Sequence, residues 1–212
     1  MKVDLAELTP DLTAFLGQAA YVQLTIFENL SRAIAAAPTT EAKAGLSRVA
    51  GLSLAKHHGL TAEISRRGWE PGEVMEPYTE GTDEFQRFAQ GADWFETLVT
   101  CYVTAGFLDD FFARLAAGLA PDPGTRIIEL LSSRSDEAVL VGELLAAIDD
   151  NPRLASRLAM WGRRLIGDTM LVARRALAPS ENQLRDEARI EPVFTELIAA
   201  HTRRMDVLGL TA

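Results

Sequence analysis

The sequence predicts an all-α protein, a four-helix bundle followed by two additional C-terminal helices. Three observations lead there. Apolar residues recur at three- and four-residue spacing along almost the whole chain, with no sustained alternation and no Asn-Gly hairpin signal. Pro, Gly and capping residues divide that pattern into separate stretches. Four of the stretches run to roughly 25 residues and are joined as two hairpins, with a longer crossing segment between the second and third.

In chain order, the first helix opens at "TPDL", where Thr9 is placed to cap and Pro10 suits the first turn, and it stops near Ala37, before Pro38. The second spans about Glu41 to Arg67 and ends at Gly68. An acidic connection punctuated by Gly and Pro, "GWEPGEVMEPYTEGTDEF", follows, with one short helix around Asp83 to Gln90. The third long helix runs from about Asp93 to Leu119 and is stopped by "APDPG". The fourth covers about Thr125 to Asp149. The fifth begins at "NPRL", with Asn151 as cap and Pro152 in the first position, and continues to about Leu177. The sixth starts near Ser180, is expected to bend at Pro192, and ends near Leu208. Two hairpins with a long crossover are the ferritin-like arrangement of the bundle, so a core over about 10–149 and accessory helices over about 151–208 form one domain, residues 1–212.

Composition narrows the function classes. A chain of 212 residues that is 48% hydrophobic and 24% charged is long enough to bury a full core. Its net charge of −9 opposes casual binding to nucleic acid. The apolar run "AVLVGELLAAI" is broken by Gly and Glu well short of the roughly 18 residues of a membrane span, and Asp4 and Glu7 stand where a signal peptide is basic and then apolar. The expectation is a cytoplasmic protein with no membrane partner. With Cys101 alone, there is no internal disulfide and no thiolate zinc cluster, so any metal rests on His and carboxylate.

Helical wheels place His57 of "SLAKHHGL" on the inward stripe Leu46, Val49, Ser53, His57, Leu60, Ile64, with His58 about 100° round. The third helix presents Trp94, Leu98, Cys101, Ala105, Leu108, Phe112 and Leu115, with Glu96 and Asp110 turned away. The fourth presents Leu131, Ser135, Ala138, Gly142 and Leu145, and Glu28 borders the apolar arc of the first. A paired-metal centre in such a bundle takes a Glu from each of two helices and Glu-x-x-His from the other two. The positions three before His57 and His58 are Leu54 and Ala55, and the fourth helix has no histidine.

The order of "FENL", "KHHGL", "CYVTAGFLDDFFARL", "IIELLSSRSDEA" and "NPRLASRLAMWGRRLIGD" resembles the actinobacterial ferritin-like family, itself similar to the tRNA hydroxylases acting on a hypermodified isopentenyl-adenosine. The likeness spans about residues 10–208. It implies oxygen activation at a non-haem di-iron centre, with Glu28 as the first-helix carboxylate and His57 or His58 as the second-helix imidazole. The remaining acids fall on Ser53, Leu54 or Ala55 and on Thr104 or Ala105. The fourth-helix Glu-x-x-His falls within "SSRSDE", where Ser133 or Arg134 replaces the acid and Asp136 or Glu137 the histidine. Two of six ligands survive, and an arginine there repels a cation.

The expectation is therefore a family member with a degenerate site, metal-free and non-catalytic, with a binding or structural role, and a homodimer. The alternative is an iron-dependent hydroxylase acting on modified tRNA or a small apolar substrate, an ion being held by Glu28, His57, His58 and an inward-rotated Asp109. The plainer account of His57 is a neutral ring bonded to Ser53 or to a facing carboxylate.

Asp168 and His201 also fall on apolar stripes of the last two helices. They read as a structural pair, either linked to each other or as an Asp held by an Arg, against an acid-base pair that lacks a nucleophile. The basic fifth helix, with Arg153, Arg157, Arg164 and Arg175, reads either as a salt-bridged seam against "EPYTEGTDE" or as a face for tRNA.

Overall fold

A computed structural model of the chain describes residues 6–133, 137–178 and 183–211. Its helices are α1 (Leu12–Ala36), α2 (Thr40–Ser65), α3 (Pro71–Met75), α4 (Thr79–Phe88), α5 (Trp94–Leu115), α6 (Pro121–Leu131), α7 (Glu137–Asp150), α8 (Arg153–Arg175) and α9 (Gln183–Val207). No strand occurs among the described residues. α1 packs on α2, α2 on α6 and α7, these on α5, and α5 back on α1, which closes the four-helix ring. α8 and α9 lie outside it, against α5.

Local chemistry sets the ends. α1 is capped by Asp11, whose carboxylate accepts from the Ala14 amide at 2.9 Å. Thr9, expected as that cap, instead donates to the Leu115 carbonyl at 2.9 Å and ties the chain start to the end of α5. Thr39 caps α2. Gly68, at φ 75°, ends the chain's passage out of α2, and the Trp69 amide reaches back to the Ile64 carbonyl. Asp93 caps α5 by accepting from the Glu96 amide, while the Glu96 carboxylate accepts from the Ala92 amide, a reciprocal lock on the first turn. At α8, Pro152 occupies the cap position and the Asn151 side chain makes no cap bond; only its carbonyl accepts, from Leu154.

The fourth bundle element differs most from the sequence reading. It is two helices, α6 and α7, and the break falls at the "SSRSDE" stretch; Arg134, Ser135 and Asp136 lie outside the described residues. The break resets the helical phase. Leu140 and Leu144 are buried in place of Ala138, Gly142 and Leu145, all three of which are exposed. The acidic connection also carries α3 in addition to the single short helix expected there.

α5 is the hub of the core. Arg114 is its single exposed residue, because α1, α6 and α7 cover one side and α8 and α9 the other. Aromatic contacts run through it, edge-on from Phe15 to Phe112 at 5.7 Å and from Phe112 to Phe111 at 5.2 Å, and tilted from Phe111 to Phe194 at 6.1 Å, joining α1 to α9. Glu96 and Asp110 do turn away from the bundle, but α8 and α9 bring Arg157 and Arg204 onto them.

The inward stripe of α9 is buried as its periodicity predicts, from Phe194 through Leu197 and His201 to Met205 and Leu208. His201 is 2% exposed, and neither ring nitrogen has a hydrogen-bond partner. Burial, reinforced by the Arg204 charge, pushes its pKa down to about 4.

Two predictions follow from this packing. A Cβ on Gly17 would meet the Val74 carbonyl oxygen at 2.2 Å, whereas a Cβ on Gly142 would meet nothing within 4 Å. Gly17→Ala is therefore expected to lower stability by about 1–3 kcal/mol despite its better helix propensity. Gly142→Ala should raise it by about 0.5–1 kcal/mol. Urea midpoints of the two variants check the opposite signs.

His201 titrates near 6.5 when unfolded and near 4 when folded, so the unfolded chain takes up the proton first. Stability should fall as pH drops through that window, by about 2 kcal/mol at pH ~5. His201→Leu should abolish this share of the acid sensitivity; equal losses in variant and parent between neutral pH and pH ~5 would contradict it.

Candidate functional site

The interior of the ring holds one polar cluster, built from three helices. Gln23 of α1 is 1% exposed, Lys56 of α2 7%, and Asp109 of α5 5%. Lys56 Nζ donates to Asp109 Oδ2 at 2.5 Å, and Gln23 Nε2 donates to Asp109 Oδ1 at 2.6 Å. Both carboxylate oxygens are thus engaged, and one ammonium balances one carboxylate in a region where neither charge survives alone. The Gln23 Oε1 atom has no hydrogen-bond partner. Beside the cluster lies a cavity of about 40 Å³, lined by Ser53, Lys56, Cys101, Tyr102, Asp109 and Glu137 among others. That volume holds water or a small ion and excludes an organic substrate. Burial pushes the Cys101 thiol up to about 12, so it stands as a neutral wall.

The candidate ligands do not converge on this place. Glu28 is exposed on the outer side of α1. His58 is exposed, and His57 is half-buried with Nδ1 2.9 Å from the Ala20 carbonyl. That carbonyl only accepts, so Nδ1 carries the proton, and the partner is the backbone of α1 in place of Ser53 or a carboxylate. Asp109 does turn inward, but onto Lys56. Ser53 is buried on the cavity wall. Among the described residues no three His, Cys, Asp or Glu side chains are grouped as a metal requires. The described residues therefore do not supply the ligand set of a di-iron centre.

The predicted stripe of α2 is buried at Leu46, Val49, Ser53, Leu60 and Ile64, but Lys56 joins it and His57 lies at its edge. A signal for this existed: Val49, Ser53, Lys56, Leu60 and Glu63 follow the same three-and-four spacing, and all five are buried. Lys56 and Glu63 are types that read as surface. Gln23 hides in the same way between Ala19, Ala20, Ile26 and Leu30.

The remaining charged candidates are spread over the accessory helices. Asp168 is half-buried on α8, lining a cleft with Glu84, Phe85, Phe88, Leu171 and Arg175, and the unpartnered nitrogens of His201 exclude the hydrogen bond expected between them. Arg157 pairs with Asp93 and Glu96, Arg174 with Glu187, and Arg175 with Glu84 at 3.7 Å. Arg164 stacks over Trp161 at 5.2 Å, while Arg153 is exposed. Arg66 and Arg67 close on Glu63, which is 2% exposed and also takes Arg126 of α6 at 3.0 Å. Arg126, Arg157, Arg174 and Arg175 thus join one helix to another.

No described helix is long and apolar enough to cross a membrane. Comparison with curated protein sequences returns no match. A family model described as a ferritin-like domain of actinomycetes matches residues 8–185, from just ahead of α1 to the first turn of α9. With the four-helix ring, its long crossover and a match over most of the chain, this protein belongs to that ferritin-like family.

Proposed function

We propose that this ferritin-like domain works without a metal centre, as a binding or structural module, and that the Lys56 ammonium supplies inside the ring the positive charge that ions supply in a metal-bearing bundle. The observation that carries the reading is the Lys56–Asp109–Gln23 cluster. A paired-metal bundle needs about four carboxylates facing two dications, whereas the described residues around the interior cavity offer Asp109, already neutralised by Lys56, and Glu137 on its wall. A divalent ion about 4 Å from the ammonium would be repelled by about 8 kcal/mol at an effective dielectric constant of about 20. The lysine stem also fills space between α2 and α5, consistent with the small size of the cavity.

The same considerations weigh against hydroxylation of isopentenyl-adenosine in tRNA, since a cavity of about 40 Å³ is small for a side chain of that size and Arg157, Arg174 and Arg175 of α8 are engaged with acids. The reading includes a homodimer. Met160 and Leu171, large apolar residues exposed on the outer face of α8, offer a surface for the second copy.

Two measurements test the metal-free reading. After expression in iron-rich medium, the purified protein should hold far less than one iron per chain; stoichiometric iron with oxo-bridge absorption overturns the proposal. Lys56→Met should cost about 3 kcal/mol by stranding a buried carboxylate, and adding Asp109→Leu should recover most of that loss. Additive losses in the double variant would show that the two charges are not coupled.

A further inference from the structure

α8 turns a line of mixed apolar and charged residues outward. Met160 is 63% exposed, and Leu171, about three turns further along the same side, is 56% exposed. Phe88 of α4, also 56% exposed, lines one cleft with Leu171 and Asp168. These are three of the six large apolar side chains left exposed among the described residues, so half of the unburied bulk gathers on the outer side of α8 and its edge toward α4. Gly167 lies between Met160 and Leu171 on that line, and a Cβ there would meet nothing within 4 Å. A neighbouring backbone can come close at that point.

Two charges stand beside the glycine. Asp168 is half-buried and has no hydrogen-bond or ion-pair partner among the described residues, although Arg175 lines the same cleft. Arg164, one turn earlier, leans back over Trp161 and does not pair with Asp168. Stacking occupies the face of its guanidinium and leaves the donors at its edge, for which the described residues supply no acceptor. An acid without a base and a cation without an acid, one turn apart on the same helix, become two ion pairs when a twofold axis passes between them.

A second copy of α8 supplies that axis. Laid antiparallel with the axis beside Ile166, it sets Arg164 opposite Asp168 of the partner subunit and, by symmetry, Asp168 opposite Arg164 of the partner subunit. The same register brings Met160 to within a residue of the partner's Leu171, once at each end of the contact. Arg157 and Arg175 also approach each other across the axis, but Asp93, Glu96 and Glu84 neutralise them within each copy. A parallel pairing would set arginine on arginine and aspartate on aspartate, and its own charges disfavour it. We infer that this chain forms a twofold dimer in which α8 crosses α8 of a second copy antiparallel, with Gly167 near the crossing and two Arg164–Asp168 ion pairs across it.

The interface rests on the homodimer reading above and gives it a face, a register and a polarity. Crossed helices bury less than the roughly 800 Å² per partner of a stable interface, so association is weak and falls in the micromolar range. Sedimentation equilibrium of the full chain should show that transition. Arg164→Asp and Asp168→Arg should each weaken it by about tenfold or more, because like charges then meet twice across the axis. An equimolar mixture of these two variants should associate as the parent does, since every contact across the axis again joins opposite charges. Gly167→Leu, whose Cβ meets nothing in the monomer and whose helix propensity exceeds that of glycine, should keep the thermal midpoint at or above the parent's and still weaken the dimer. A dimer indifferent to all three changes overturns this interface and leaves the homodimer reading standing. Failure of the mixed variants to recover overturns the Arg164–Asp168 register. A parent that stays monomeric up to about 1 mM overturns both readings and leaves the face to a different protein.

Discussion

Everything in the ring is arranged around one buried ion pair, Lys56 with Asp109. Opposite charges taken out of water lose solvation worth several kcal/mol each, and recover it only where geometry is close and the remaining lone pairs are used. Both conditions hold, because Lys56 takes one carboxylate oxygen and Gln23 the other. The arrangement fixes the relative positions of α1, α2 and α5, since sliding any one of them by a turn would strand a charge. It also balances the Asp109 charge within the ring, beside a cavity of about 40 Å³.

α5 repeats the device on its other side. Its buried or half-buried acids each meet a base from a different helix: Glu96 meets Arg157 of α8, Asp109 meets Lys56 of α2, and Asp110 meets Arg204 of α9. A helix hydrophobic on all sides would be free to rotate among near-equal packings, and three charged contacts at fixed angles choose one of them. The aromatic contacts among Phe15, Phe112, Phe111 and Phe194 then supply bulk contact energy along the same line from α1 to α9. Accessory helices held this firmly belong to the core in an energetic sense, which is why α5 is covered almost throughout.

The fold was legible because it depends on long periods that average over many residues. Helix identity, the long crossover and the outer placement of α8 and α9 all follow from spacing and stop signals that a single odd residue does not disturb. The interior of the site was not legible, because it turns on single positions. One neighbouring position on α2 exchanges Lys56 for His57 on an otherwise correct stripe, and a helix break at "SSRSDE" buries Leu140 and Leu144 of α7 in place of Ala138, Gly142 and Leu145. Residue type misleads at the same points: Lys56, Gln23 and Glu63 read as surface, and only their partners on other helices, distant in sequence, make burial affordable. His201 is the converse case, buried as its stripe predicted but without the partner that a buried polar ring was expected to need.

The distribution of charge also bears on where this protein meets other molecules. Arginines gathered on one helix suggest a basic face only while their partners are unknown. Once Arg157, Arg174 and Arg175 are matched to Asp93, Glu96, Glu187 and Glu84, half of the six α8 arginines are neutralised at short range, and Arg164 is laid on Trp161. What survives is spread over both accessory helices, on Arg153 and Arg163 of α8 and Arg203 of α9. The centre of the bundle is held by its own lysine, and the two C-terminal helices present their remaining basic groups to solvent one at a time, without the extended track that a polyanion needs.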